Sequence, residues 1–158
     1  MISLLPSFSE TIVTTSSATE IAGQFQRATA ETIQWDQEFK LPQDKIFYGY
    51  VQESHFQIAA RNMRLLSFNP LVLGKIEPTK NGSILFLRYQ LFILTRILVL
   101  FWTVFLLMAS ILLFVYRDDY WYSLGTMLLM IILHLVVRAN FHLQVKPTQQ
   151  AISSLLGR

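Results

Sequence analysis

The sequence contains no cysteine, which excludes disulfides, thiolate nucleophiles and cysteine-held metals. It says nothing about compartment, because a cysteine-free chain fits either redox environment. Charge is also scarce. Asp, Glu, Lys and Arg make up 15% of the 158 residues, against about a quarter in ordinary soluble domains. There are three histidines, His55, His134 and His142, and no pair has the H-x-x-x-H or H-E-x-x-H spacing of a metal site. The segment "GKIEPTKNGS" has glycine and lysine without phosphate-loop spacing, and no G-x-S-x-G occurs. Adjacent Asp118 and Asp119 read as a solvated turn. The net charge of +3 is spread along the chain with no Lys/Arg block, so no nucleic-acid partner is expected. These absences predict no enzymatic activity, no cofactor and no metal.

What the sequence does have is apolar length. Ile97 to Tyr116 is a run of 20 residues without a charge. At about 1.5 Å per residue it spans roughly 30 Å, the thickness of a bilayer core. Tyr120 to Val137 is a second run, of 18 residues, in which His134 is the only ionisable group besides tyrosine. Neither run is N-terminal, and "MISLLPSFSE" lacks a basic start and a following cleavage site, so no signal peptide is read there. The expectation is a multi-pass membrane chain with two spans. Arg88 and Arg96 precede the first run, and Arg138, Lys146 and Arg158 follow the second. The connecting loop carries Arg117 beside two aspartates. Positive charge on the terminal side predicts both termini in the cytoplasm. Arg96 and Arg138 read as interface anchors whose long side chains reach the headgroups. Tyr116, Tyr120, Trp121 and Tyr122 bracket the loop as an aromatic belt.

Polar residues inside the runs are not scattered. Arg96, Thr103, Ser110 and Arg117 recur every seventh position, so they share one stripe of the first helix. Ser123, Thr126, Met130 and His134 form a looser stripe on the second. An antiparallel hairpin folded about residue 118 sets Ser110 level with Thr126 and Thr103 level with His134. Thr103, Ser110, Thr126 and His134 are therefore expected to make interhelical polar contacts, each worth about 0.6–2 kcal/mol. The competing reading turns both stripes toward other copies of the chain and lines a pore.

Before residue 93 the chain reads as a small soluble segment. "FSETIVTTSS" suggests a strand over 8–15. Ser17-Ala18-Thr19-Glu20 has a hydroxyl at the N-cap and a carboxylate three residues on, followed by Ile21, Ala22, Phe25 and Ala28 at helical spacing. "ETIQWDQEF" alternates around Ile33 and Trp35, a short strand ended by Pro42. "KIFYGYVQESHFQIAARN" reads as a hairpin turning at Gln52-Glu53-Ser54. "LVLGKIEPTKNGSILFLRYQL" reads as a second hairpin turning at Asn81-Gly82. After the second run "FHLQV" alternates, which predicts a returning strand over 141–145 and then a short helix with Pro147 in its first turn. The reading is a membrane α+β chain: residues 1–92 a cytoplasmic domain built on a small antiparallel sheet, 93–138 a transmembrane hairpin, and 139–158 a strand and helix rejoining the domain.

Phe47-x-Gly49-x-Val51, Phe56-x-Ile58 and Pro70-x-x-x-Gly74-x-Ile76, followed by a strand leading into two apolar helices, resemble a family of small bacterial two-helix membrane proteins, cyanobacterial among others. The resemblance covers roughly residues 10–145. It departs from the family pattern after the second strand of the first hairpin, where Arg61 and Arg64 stand in place of paired arginines. It implies a two-helix anchor on an α+β domain and carries over no activity or site residue. Three functions fit the sequence. The first is a structural or accessory subunit that anchors a small domain to a larger membrane complex or homo-oligomer. The second is a self-assembling pore or effector. The third is a lipid- or ligand-binding domain, since the element order is that of helix-grip folds.

Overall fold

The computed structural model describes residues 5–31, 45–60, 68–117 and 120–157. The strand expected around Trp35, the turn at Asp118-Asp119 and the positions of Arg61 and Arg64 lie outside them. The elements in chain order are β1 (Ser7–Thr14), α1 (Ala18–Ala28), β2 (Thr29–Glu31), β3 (Phe47–Val51), β4 (His55–Ala60), β5 (Pro70–Thr79), β6 (Gly82–Leu91), α2 (Ile93–Arg117) and α3 (Tyr120–Leu155).

The strands form one sheet in the order β1-β6-β5-β4-β3-β2. The first and last strands of the helix-free stretch, β3 and β6, are joined through antiparallel hairpins, and β1 adds antiparallel to β6. The sheet is mixed rather than wholly antiparallel as expected, because β2 pairs parallel to β3. The reason lies in α1, which leaves β1 at one edge, crosses the face and delivers β2 at the opposite edge. As expected from the sequence, Ser17 caps α1, its hydroxyl accepting from the Glu20 amide at 3.3 Å. Such a cap is worth about 1 kcal/mol. The β5–β6 turn differs from expectation by one residue. Thr79 faces Gly82, so Lys80 and Asn81 form the loop and Gly82 opens β6 with a φ of 136°. A Cβ at Gly82 would lie 2.1 Å from the Thr14 carbonyl oxygen, so the strand β1 approaches there as only glycine permits.

Alternation along the strands separates two faces. The inner face presents Ile12, Phe47, Phe56, Ile58, Val72, Ile76, Leu85, Leu87 and Tyr89, all buried. Ile21 and Phe25 of α1 cover one part of it, with the Phe25 and Phe56 rings stacked at 4.3 Å. The Phe56 ring in turn fills the place a side chain would take at its cross-strand partner Gly74, where a Cβ would sit 2.0 Å from the ring.

The other cover is the second half of α3, and here the expectation is overturned. There is no strand at 141–145 and no helix beginning at Pro147: α3 is one helix of 36 residues with Pro147 inside it. Val137, Phe141, Val145, Thr148 and Ile152 are its buried residues, spaced by three or four, and they pack into the inner-face core. Leu143, which a strand would have turned inward beside Phe141 and Val145, is 67% exposed. Proline in a helix interior costs about 3 kcal/mol. Full burial of Phe141 and Ile152 contributes about 1.5–3 kcal/mol each, enough to hold the helix through it. The chain does return to the sheet domain after the second apolar run, as expected, but on a helical face.

Beyond the sheet, α2 and the first half of α3 stand as a helical pair. Both are long and apolar enough to cross a membrane. Their surface is the reverse of the domain's: Ile97, Phe101, Val104, Phe105, Met108, Ile111 and Val115 of α2 are exposed, as are Leu124, Leu128, Leu129, Ile132 and Leu135 of α3.

Candidate functional site

Three polar groupings are held in place by this fold. The first lies inside the helical pair. Ser110 and Ser123 clasp each other: the Ser110 hydroxyl donates to the Ser123 carbonyl at 3.2 Å, the Ser123 hydroxyl donates to the Ser110 carbonyl at 3.1 Å, and the two hydroxyl oxygens lie 3.1 Å apart. Side chains this small let the helices approach closely enough for each hydroxyl to reach the other helix's carbonyl. Of the four residues expected to bridge the helices, Ser110 does so, with Ser123 as its partner, one turn nearer the loop than Thr126. The hydrogen bonds of the other three stay within their own helix. Thr103 donates to the Val99 carbonyl at 2.7 Å and Thr126 to the Ser123 carbonyl at 2.8 Å. His134 Nδ1 lies 3.1 Å from the Met130 carbonyl, which can only accept, so Nδ1 carries a proton. All four are half-buried, so the stripe does lie on the less exposed side of the pair. Ser123 stood on the second stripe in the sequence. The helices pair about a midpoint between residues 116 and 117, not 118, so Ser110 meets Ser123 in place of Thr126.

Near the loop, Tyr120 meets Phe114 edge-on at 5.4 Å. Tyr120, Trp121 and Tyr122 are exposed, Trp121 to 83%. The side chain of Tyr116 lies outside what is described. Arg138 is exposed on α3, and Arg96 is half-buried in the first turn of α2.

The second grouping fixes α3 on the sheet. Glu10, on the inner face of edge strand β1, accepts from Gln149 Nε2 at 2.8 Å and from the Tyr89 hydroxyl at 3.4 Å. One carboxylate thus ties β1, β6 and α3 together, and bonds to a charged acceptor are the stronger kind. Burial, and then the neighbouring Glu10 charge, push the Tyr89 phenol far above its ordinary value. Beside this bridge an open groove of about 440 Å³ is lined by Glu10, Lys146, Gln149, Gln150, Ser153 and Ser154. It lies at the sheet edge. Among the described residues, Phe25, Phe56, Tyr89, Phe141 and Ile152 are buried in the core between sheet and helices.

The third grouping is the junction where β6 becomes α2. Only Phe92 separates the two elements. The Arg96 guanidinium turns back and donates to Gln90 Oε1. The sequence marked Arg96 as an anchor but gave no sign that Gln90 would hold it, since a bond between strand end and helix start has no periodic signature.

Among the described residues no three histidine or acidic side chains gather as a metal site would require. His55 lies on β4 against the Ser54 hydroxyl at 2.8 Å, and His142 is exposed on α3 with its ring edge-on to Phe141. Comparison of the chain with family models, with curated proteins and with solved structures finds no match, so the likeness to two-helix bacterial proteins rests on the strand motifs alone.

Proposed function

We propose that the chain is an integral membrane protein without enzymatic activity, in which α2 and the first half of α3 form a two-span anchor and the sheet domain serves as a structural or accessory module of a larger membrane complex. The observation that carries this reading is the exposed apolar surface of the helical pair. Water-soluble chains rarely expose continuous apolar patches beyond a few hundred Å². Here most large apolar residues of the two helices face outward, while Ser110 and Ser123 bond to each other between them. That pattern is suited to lipid, where interhelical contacts are made by small and polar residues. Arg88, Arg96, Arg138 and Lys146 lie toward the sheet end of the pair and only Arg117 at the loop end, which supports a cytoplasmic domain and termini under the positive-inside rule.

The close packing of Phe25, Phe56, Tyr89, Phe141 and Ile152 in the described core supports a docking module over a ligand carrier. The Ser110–Ser123 clasp supports an anchor over a pore, because it uses within one hairpin the polar groups that a lumen would need. The test is purification of the tagged chain from its native membrane in mild detergent. The expected result is retention in the membrane fraction after an alkaline wash, followed by migration with one or more larger partners. A chain that washes off the membrane would overturn the anchor. A lone monomer would overturn the accessory role.

A further inference from the structure

We propose that Arg88 and Arg96, with Gln90 between them, form a binding site for the phosphate of an anionic lipid headgroup on the outer face of the sheet where it meets the helical pair; this rests on the membrane reading above. Alternation puts Arg88 and Gln90 on the outer face of β6, opposite buried Leu87, Tyr89 and Leu91. The bond from Arg96 to Gln90 folds the third side chain onto the same face. That bond occupies one corner of the Arg96 guanidinium and leaves the rest of its fork for another acceptor. Arg88 is exposed on the same face, two residues along the strand from the Gln90 that holds Arg96. Two like charges on one face are relieved by an anion between them, and the planar guanidinium fork matches phosphate geometry.

The neighbours fit the same chemistry. Arg88 is flanked across the strands by Ser9 and Leu73, and Gln90 by Ser7 and Leu71. Ser7 and Ser9 are exposed hydroxyls on the same face, able to donate to phosphate oxygens. Among the described residues, no carboxylate bonds to either arginine. The acidic residue of this face, Glu77, lies toward the far end of β5, paired with Lys75 at 2.6 Å. Position decides the ligand's source. Arg96 lies in the first turn of a membrane-length helix and Arg88 five residues before its start, so in a membrane-spanning chain the pair falls near the level of the headgroups.

The experiment uses the full chain in mild detergent, titrated with phosphatidylglycerol or phosphatidylcholine and read by native mass spectrometry. Phosphatidylglycerol should bind more tightly. Arg88→Gln should weaken that preference about fivefold, the effect of one basic residue at a charged surface, and Arg88→Lys should keep most of it. Lys75→Gln, on the same face but away from the junction, should change nothing. Equal binding of the two lipids by a membrane-embedded chain would overturn the site while leaving the anchor intact. So would an equal loss in Lys75→Gln, which would make the effect one of general surface charge. If millimolar inorganic phosphate abolishes the preference, the ligand is the free ion and not the lipid. A chain that needs no detergent and binds neither lipid would sink the membrane reading itself.

Discussion

The two halves of α3 belong to one unbroken helix and obey opposite rules. From Tyr120 to Val136 most large apolar residues are exposed, and Ser123 bonds across to Ser110 of α2. From Val137 to Leu155 one stripe, Val137, Phe141, Val145, Thr148 and Ile152, is buried against the sheet, and the opposite side, with Leu143, Lys146 and Gln150, is exposed. Helix formation does not distinguish the halves. What changes is which residues the helix leaves exposed: apolar ones in the first half, mostly polar ones in the second. The difference teaches that, in this chain, exposure of a leucine means opposite things fifteen residues apart. It also yields experiments that separate the two environments.

Removing the second half should have the largest effect. A chain truncated after Val137 loses Phe141, Val145 and Ile152 from the core and uncovers the inner face of the sheet. Residues 1–90 should then lose their resistance to protease while the apolar runs still insert. Unchanged resistance would show that the sheet domain does not depend on its helical cover. A sharper version places one truncation in each half. Phe141→Ala should destabilise the domain by about 3–5 kcal/mol, the usual range for a buried phenylalanine. Leu128→Ala, on the exposed side of the first half, should cost far less in the same thermal unfolding measurement.

A smaller effect belongs to the serine clasp. Ser110→Cys with Ser123→Cys should form a disulfide within one chain under mild oxidation, since the two side chains already touch. Cross-links found only between chains would instead mean that the helices pair across copies. Ser110→Ala should loosen the pair by about 0.6–2 kcal/mol. The smallest effect is a pH dependence confined to the domain. The Tyr89 phenol has its folded-state pKa raised above the unfolded value near 10. The folded state therefore holds that proton more tightly, and the contribution is fully present below pH 10. It is lost as the pH rises above that value. Alkaline unfolding should steepen there in the native chain and less so in Tyr89→Phe, as followed by circular dichroism.

The sequence disclosed the elements whose signals are local. The Ser17–Glu20 box, the two hairpins and the two apolar runs each depend on residues within a few positions of one another. It misled at 141–145 because Phe141 and Val145 stand four apart, a spacing that satisfies a strand face and a helix face equally. Only Leu143 distinguishes them, and its exposure depends on where the sheet lies. Pro147 then seemed to mark a helix start, when burial on both sides of it carries the helix through. The parallel pairing of β2 could not be read either, because it depends on how far α1 travels across the sheet. At the junction, Arg96 was legible by position and Gln90 was not, since their contact joins the end of one element to the beginning of the next.

The unbroken course of α3 has a mechanical consequence. At about 1.5 Å per residue its 36 residues make a shaft of roughly 54 Å, longer than a bilayer core is thick. Its far end is gripped by the sheet, and the sheet's own last strand enters the companion helix after a single residue. There is no slack in either connection. A twist or tilt imposed on the helical pair would be carried into the sheet through both connections at once, the strand end at Leu91 and the buried half of α3.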